Sequence, residues 1–276
     1  MDKLQKFYKN KRVFITGHTG FKGAWLTQVL RNWGAELAGY SLPLHENLHF
    51  QGLGLEGKIT SYYGDIRDRK MLKDSILEFN PEIVFHLAAQ AIVRESYKDP
   101  ISTYETNVVG SLNLLEILRG CSSARALVYI TSDKCYKNIE KKNGYSETDE
   151  LGGVDPYSAS KGCAELAIKS YINSFFKSSQ NDIRISSARA GNVIGGGDWS
   201  EDRLVPDCIK SWPSGEKVNL RSPKSTRPWQ HVLEPISGYL TLAKNLYLNS
   251  NFHGESFNFG PSVSVNYSVE EIVEEM

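Results

Sequence analysis

Short apolar runs of strand length alternate with segments of helical periodicity along most of this chain. The runs at 12–17 (RVFITG) and 82–89 (EIVFHLAA) are nearly unbroken and rich in β-branched residues, which is typical of strands buried on both faces. An amphipathic segment at 69–79 ends before Asn80-Pro81. Since parallel strands need helical crossovers, the alternation predicts an α/β fold, a doubly wound parallel sheet covered by helices.

The remaining elements follow from the same patterns. Further strands are predicted at 36–42, 59–66, 126–132 and 183–193, and further helices at 23–33, 100–119 and 155–176. After residue 192 the pattern loosens into loops rich in glycine and proline. We therefore expect residues 1–190, with a return of about 231–260, to form the sheet domain, and 191–276 to form a smaller C-terminal substrate-binding region. The chain ends in an uncapped amphipathic segment, SVEEIVEEM, so we expect it to be a piece of a longer protein.

Composition excludes several classes of protein. Lys plus Arg and Asp plus Glu both number 32, so no net charge attracts nucleic acid or an anionic membrane. The sequence has no apolar run of about 18 residues and no signal peptide at its N-terminus. Its 4 Cys and 6 His show no metal-binding spacing. We expect a cytoplasmic protein with reduced thiols and no metal.

A glycine-rich turn, GHTGFKG at 17–23, joins the first strand to the first helix. Glycines at such a turn let the backbone approach a pyrophosphate, and the helix N-terminus supplies free N–H groups. The turn therefore predicts a Rossmann-type dinucleotide site, with a purely structural turn as the alternative. The residues assigned to it are Gly17, Thr19, Gly20, Phe21 and Gly23.

The usual acidic partner of a ribose 2′-hydroxyl is missing at the end of the second strand, where Gly-Tyr-Ser-Leu stands at 39–42. Ser41 can bond the ribose instead. No Arg or Lys is present there for a 2′-phosphate, which favours NAD over NADP. Asp65 and Ile66, at the end of the third strand, are expected to meet the adenine; the alternative is that Asp65 caps the next helix.

Tyr157 and Lys161 form a YxxxK pattern on one face of a predicted helix. A tyrosine of ordinary pKa needs about 4 kcal/mol of help to act as a base near pH 7, and a nearby cation supplies such help. The alternative is a solvated helix face.

Together, GHTGFKG, HLAAQ, TSDKCY, YSASK and RAGNVIGGGDW resemble the extended short-chain dehydrogenases/reductases, and within them the nucleotide-sugar 4,6-dehydratases. The resemblance implies NAD as cofactor, lined by Ala88 of HLAAQ. It implies that Tyr157 takes the proton of the sugar 4-hydroxyl, that Lys161 lowers its pKa and holds the nicotinamide ribose, and that Ser132 bonds the reacting oxygen.

The same resemblance implies an elimination pair and substrate contacts. Asp133 and Lys134 stand where most relatives have Asp-Glu, and Asp-Lys is the pattern of those acting on CDP-glucose. We expect Asp133 to be the acid, and Lys134 to be a base if burial makes it neutral, or else an electrostatic stabiliser. Asn192, Arg227 and Arg94 are implied to bind the sugar nucleotide; a stacked structural role for Arg227 and a surface role for Arg94 are the alternatives.

Two further residues near these motifs have plainer interpretations: His86 is expected to be a hydrogen-bonded core histidine, and Cys135 a small buried hydrophobe. The function predicted is a lyase that oxidises, dehydrates and reduces a nucleotide sugar, and a homo-oligomer is implied. A nucleotide-sugar 4-epimerase and a non-catalytic NAD-binding protein are the alternatives.

Overall fold

A seven-stranded parallel sheet forms the centre of the molecule, in a computed structural model that describes residues 2–43, 48–141, 143–177, 182–262, 265 and 267–276. The strands of the described chain are β1 Arg12–Thr16, β2 Glu36–Ser41, β3 Thr60–Tyr63, β4 Ile83–His86, β5 Ala126–Ile130, β6 Arg184–Ala190, β7 Val193–Ile194, β8 Thr226–Arg227, β9 Gln230–His231, β10 Ser256–Phe259 and β11 Tyr267–Ser268. The sheet order is β10-β6-β5-β4-β1-β2-β3, and each neighbouring pair is parallel. The predicted doubly wound sheet is confirmed.

Helices cover both faces of this sheet. They are α1 Asp2–Tyr8, α2 Phe21–Asn32, α3 Leu48–Gly52, α4 Arg69–Phe79, α5 Val93–Lys98, α6 Pro100–Tyr104, α7 Gly110–Arg119, α8 Pro156–Tyr171, α9 Leu204–Ser211, α10 Leu233–Leu248 and α11 Val269–Glu275. One apolar core lies under α1, α2 and α10, and a second lies under α4, α7 and α8. Within the described ranges, no helix has the length and apolar character that crossing a bilayer requires.

The helix predicted at 100–119 is continuous but irregular. A π-helical turn, Glu105–Val109, connects α6 to α7, and a second π-turn, Ile172–Phe176, extends α8. Such turns insert an extra residue and reorient the side chains that follow, and they often mark functional sites.

Beyond the main sheet, two short ladders organise the segment after β6. Strand β7 pairs with β9 in parallel, and β11 pairs with β8 in antiparallel orientation. The order in which successive strands are added to the main sheet reverses direction between β1 and β4, and this places a crevice beyond the carboxyl ends of these two strands. The loops after β1, β4 and β5 open into this crevice, and the two short ladders bring the later residues to it.

Candidate active site

The glycine-rich turn is packed too tightly for larger residues at two of its three glycines. Gly17 has a φ of +72°, and a Cβ there would lie 2.8 Å from the Ala88 nitrogen. At Gly23 a Cβ would lie 2.0 Å from the Gly17 carbonyl oxygen, whereas at Gly20 the nearest atom would be 3.4 Å away. Gly17 and Gly23 therefore allow the close packing of strand, turn and helix, whereas a Cβ at Gly20 would make only an ordinary van der Waals contact.

Helix α2 begins at Phe21 directly after this turn. Gly20 offers no side-chain cap, and the first turn of the helix has no acidic residue. The first turn of α2 therefore carries no acidic side chain of its own to compete with an anion, so its backbone fits a dinucleotide pyrophosphate. These are the features required of residues that hold NAD: Gly17, Thr19, Gly20, Phe21 and Gly23 are brought together, and Ala88 adjoins them.

The end of β2 lies beside the same turn. Thr19 Oγ1 donates a hydrogen bond to Ser41 Oγ at 3.0 Å, and both side chains are buried. Ser41 thus stands where the sequence placed it, and its bond to a ribose stays a prediction.

Asp65 and Ile66 follow β3 at this edge. Arg67 donates to both Asp65 carboxylate oxygens, at 3.0 and 2.7 Å, and these bonds lower the pKa of the carboxyl. The alternative role, in which Asp65 caps the next helix, is wrong, because Asp68 accepts the capping bond from the Met71 N–H. Ile66 is buried, and a Cβ on Gly110 would touch its side chain.

The catalytic candidates lie just after the carboxyl end of β5 and at the start of α8. Ser132 Oγ donates to Asp133 Oδ1 at 3.0 Å and hydrogen-bonds the Tyr157 hydroxyl. Lys134 Nζ lies 3.2 Å from Asp133 Oδ2. One hydroxyl, one phenol, one carboxylate and one ammonium thus converge on a single point of the crevice.

Burial, not the neighbouring cation, dominates the state of Tyr157. It raises the pKa of Tyr157 to about 12, and the hydrogen bond with Ser132 opposes this rise. Lys161 Nζ lies 6.0 Å from the centre of the Tyr157 ring. That Lys161 lowers the pKa of Tyr157 in the loaded site stays a prediction. The pKa of Lys161 itself falls to about 8, because of its burial and then of the charge on Lys22.

Lys134 is not buried as the base role requires. Its side chain is 41% exposed, and its partner Asp133 is 28% exposed. The structure therefore favours electrostatic stabilisation over proton abstraction for Lys134.

The three predicted substrate residues differ in their surroundings. Gly191 lies next to Asp133, since a Cβ on Gly191 would be 3.4 Å from Asp133 Oδ2. Asn192 is the next residue in the chain after Gly191. Arg227 is partly buried in β8, and its guanidinium donates to the Thr226 carbonyl at 2.9 Å. Arg94 is 58% exposed and forms an ion pair with Asp202 at 2.9 Å. Arg94 thus lies at the rim, in agreement with its surface alternative.

Two cationic residues of the crevice were missed from the sequence. Lys22, inside the glycine-rich turn, has its pKa lowered to about 8 by burial and by Arg203, while Asp133 and Asp198 oppose the shift. Arg203 pairs with Asp198 at 3.4 Å, and its charge lowers the pKa of Tyr157. A lysine on a helix and an arginine in a loop carry no sequence signal of this convergence.

Asn107 was also missed, and it sits in the π-turn before α7. It is buried, and its side chain bonds the Gln90 backbone at 2.8 and 3.0 Å and Ser160 Oγ at 2.9 Å. It thereby fixes α8 against the loop after β4. A polar residue on the inward face of the predicted helix was the available signal.

The plainer interpretations of two residues are confirmed. Both ring nitrogens of His86 have partners, Thr16 Oγ1 at 2.6 Å and Ser111 Oγ at 3.2 Å, and burial lowers its pKa to about 3. Burial raises the pKa of Cys135 to about 12, so the thiol is neutral.

Comparison with known proteins matches the chain to one family. The model of the NAD dependent epimerase/dehydratase family matches residues 13–260. CDP-glucose 4,6-dehydratase of Salmonella typhimurium strain LT2 is 50% identical over 277 residues, covering 99% of this chain and 77% of that protein. CDP-paratose 2-epimerase of Salmonella typhi is 28% identical, covering 95% of this chain and 82% of that protein.

Among solved structures, dTDP-glucose 4,6-dehydratase from Bacillus anthracis in complex with NAD has a similar fold. Its TM-score is 0.81 at 21% identity, over 96% of this chain and 79% of that one. At this identity the likeness concerns the fold.

Proposed function

This chain belongs to the NAD dependent epimerase/dehydratase family, and we propose that it is a nucleotide-sugar 4,6-dehydratase that converts CDP-glucose to CDP-4-keto-6-deoxyglucose. The 50% identity to a CDP-glucose 4,6-dehydratase supports the substrate. The single observation that carries the reaction is the junction of Ser132, Asp133, Lys134 and Tyr157, because oxidation at C4 and loss of water at C5 and C6 need those groups at one place.

Oxidation at C4 requires a base for the 4-hydroxyl. Held by the glycine-rich turn, NAD would supply a reversible hydride acceptor for carbons C4 and C6 of the sugar. Tyr157 removes the hydroxyl proton, and Ser132 holds the reacting oxygen by a hydrogen bond. Since burial raises the pKa of Tyr157 to about 12, the phenolate has to be stabilised within the loaded site, by Lys161 and by the positive charge of the oxidised nicotinamide ring.

Elimination of water is assigned to the neighbouring pair. The 4-ketone acidifies the C5 hydrogen, and the C6 hydroxide leaves as water once a proton is supplied. The C5 proton passes to a water molecule in contact with the exposed Lys134 side chain, and Lys134 stabilises the negative charge that develops on the ketone oxygen. Asp133, protonated in the loaded site, gives its own proton to the leaving C6 hydroxide and regains one from water. Asn192 and Arg227 bind the sugar diphosphate, and Arg94 lines the sugar pocket. The NAD site is lined by Gly17, Thr19, Gly20, Phe21, Gly23, Ser41, Asp65, Ile66 and Ala88.

Mass spectrometry tests the proposal directly. The protein is incubated with NAD and, separately, with CDP-, dTDP-, GDP- and UDP-glucose. The expected result is a product lighter than the substrate by one water, formed fastest from CDP-glucose. A product of unchanged mass would identify a 4-epimerase instead. NAD binding with no product from any of the four sugars would identify a non-catalytic NAD-binding protein.

We also propose that the chain forms a homodimer through α7, α8 and the turns beside them. Val109, Leu166 and Phe175 are 49%, 58% and 37% exposed on these helices. Apolar side chains on two adjacent helices fit a second copy of the same surface. Light scattering should give twice the chain mass, and Leu166→Glu should give a monomer; a monomeric parent protein would contradict the proposal.

The positions of the site residues support separate binding regions for NAD and for the substrate along the chain. Residues 1–190, with the return at 231–260, bind NAD, and residues 191–276 bind the substrate. A cytoplasmic location is proposed because the four cysteines are free thiols. Fractionation of the source cells, with a label on this protein, tests it.

A further inference from the structure

A buried ion pair lies one helical turn beyond Lys161. Glu165 and Arg189 are each 4% exposed, and Arg189 Nη2 donates to Glu165 Oε2 at 2.7 Å. Lys161 and Glu165 stand four residues apart on α8, so they share the helix face that carries Tyr157. A buried pair of this kind costs desolvation energy, so its presence under the reacting groups calls for an explanation.

The Glu165 carboxylate is bonded to three strands of the sheet. Thr131, directly before Ser132, donates to Oε1. Ser187 of β6 donates to Oε2 at 2.8 Å, and Ser256 of β10 donates to the same oxygen at 3.3 Å. Helix α8 is thus fixed to the strand end that presents Ser132 to Tyr157.

Arg189 is held from the other side. Its guanidinium donates to the Tyr136 hydroxyl at 2.7 Å and to the Glu147 carbonyl at 3.1 Å, and it lies 5.0 Å from the centre of the Tyr136 ring. Glu165 is thus the member of the pair that α8 itself carries, and Arg189 lies beyond it on β6.

The charges around Lys161 make this orientation matter. Lys161 is 5% exposed, and the positive Lys22 lies within reach across the crevice. Among the described residues, the titratable groups that face Lys161 or the carboxylate are Lys22 of α2, His86 of β4, Tyr129 of β5, Cys135, and Tyr157 and Glu165 of α8 itself, with Arg189 of β6 beyond. Of these, His86 and the thiol of Cys135 are neutral, so the Glu165 carboxylate is the anion that opposes Lys22.

We propose that Glu165 is a positioning residue for the proposed C4 oxidation: its carboxylate keeps the Lys161 ammonium charged and holds Ser132 and Tyr157 in register, while Arg189 limits the strength of that field. The inference rests on the proposed function for its kinetic consequence. The charge effect on Lys161 is a property of the folded protein and does not.

The test uses variants that change charge with little change of shape. Glu165→Gln keeps the acceptor oxygen and removes the charge, so Lys161 should lose its proton about one pH unit lower, a tenfold change in the charged fraction there. Arg189→Met leaves the carboxylate unopposed, so the shift should have the opposite sign. Ser256→Ala is the matched control, since it removes a bond to the same oxygen, and the bonds of Ser256 with Ser187 and Arg189, without changing charge. It should leave the titration unshifted.

Two measurements separate this inference from the proposed function. NMR titration of labelled lysine Cε, with Lys161→Met as the assignment control, follows the ammonium without any substrate. Stopped-flow reduction of bound NAD by CDP-glucose should show an alkaline limb that moves with the NMR value in each variant.

The outcomes are distinct. The inference is overturned if the Lys161 titration is unshifted in a folded Glu165→Gln protein, or if Ser256→Ala shifts it as much as Glu165→Gln does. The Glu165–Arg189 pair would then have a purely structural role. If Arg189→Met does not fold, Glu165→Gln against Ser256→Ala still decides. If the variants shift the Lys161 titration with the expected sign but the parent protein does not reduce NAD, the inference is supported and the proposed function is overturned.

Discussion

Replacing Gly23 by alanine should destabilise the fold, because one methyl group would be placed against the backbone. The added Cβ would lie 2.0 Å from the Gly17 carbonyl oxygen and 2.9 Å from the His18 Cα. Carbon and oxygen in contact are normally about 3.3 Å apart, so α2 has to move by more than about 1 Å. Overpacking of this kind costs up to ~3 kcal/mol, which corresponds to a Tm lower by ~6–12 °C in a domain of this size.

Gly20→Ala is the matched variant at the other end of the same turn. Its Cβ would meet nothing closer than 3.4 Å, and its φ of −69° suits any residue. Its Tm should stay near that of the parent, while its NAD affinity should fall, because the methyl group stands before the α2 N-terminus. Thermal melts and NAD titrations compare the two. A Gly23→Ala protein that melts with the parent would refute the packing argument, and unchanged NAD affinity in Gly20→Ala would refute the pyrophosphate assignment.

Three other outcomes are expected. Tyr157→Phe should slow the reduction of bound NAD by CDP-glucose ~10²–10⁴-fold at unchanged NAD affinity; a near-parental stopped-flow rate would exclude it as the base. Asp133→Asn should oxidise C4 but stall before water is lost, so that the absorbance of NADH accumulates; normal turnover would contradict its role as the acid. Lys134→Met should slow the exchange of the C5 hydrogen with deuterated water, and a normal exchange rate would contradict its role as stabiliser. Burial lowers the pKa of His18 to about 4 and of His86 to about 3. Below pH ~6.5 the unfolded chain then binds more protons than the folded one. Stability is therefore lost as the pH falls below that value, by up to ~1.4 kcal/mol per pH unit for each histidine. Tm should fall on acidification, and less steeply in His86→Gln; equal slopes of Tm against pH would contradict the lowered pKa of His86.

The sheet and the glycine-rich turn were predictable because their signals are local. A β-branched run, a glycine at the strand end and the Asp155-Pro156 start of α8 each determine backbone geometry within a few residues. The reacting group was predictable by resemblance, since Ser132 and Tyr157 belong to short contiguous motifs.

The electrostatics of the site could not be predicted in this way. Lys22 has the sequence pattern of an ordinary helix lysine, and its pKa is lowered first by burial and then by Arg203, about 180 positions later. The choice between the two roles of Lys134 was left open for the same reason, because its exposure depends on how later loops fold over the crevice. The alternation of strands and helices does not specify which charges end up facing one another.

The position of β10 has a consequence for how the chain is made. Its partner β6 ends at Ala190, but β10 begins only at Ser256. At a synthesis rate of 5–20 residues per second, roughly 3–13 s pass before the pairing strand leaves the ribosome. During that interval β6 is an open edge, with Ser187 and Arg189 lacking the bonds they make to Ser256. The nascent protein therefore completes its dinucleotide half first, and in that interval a chaperone or a second nascent chain competes with β10 for the edge of β6.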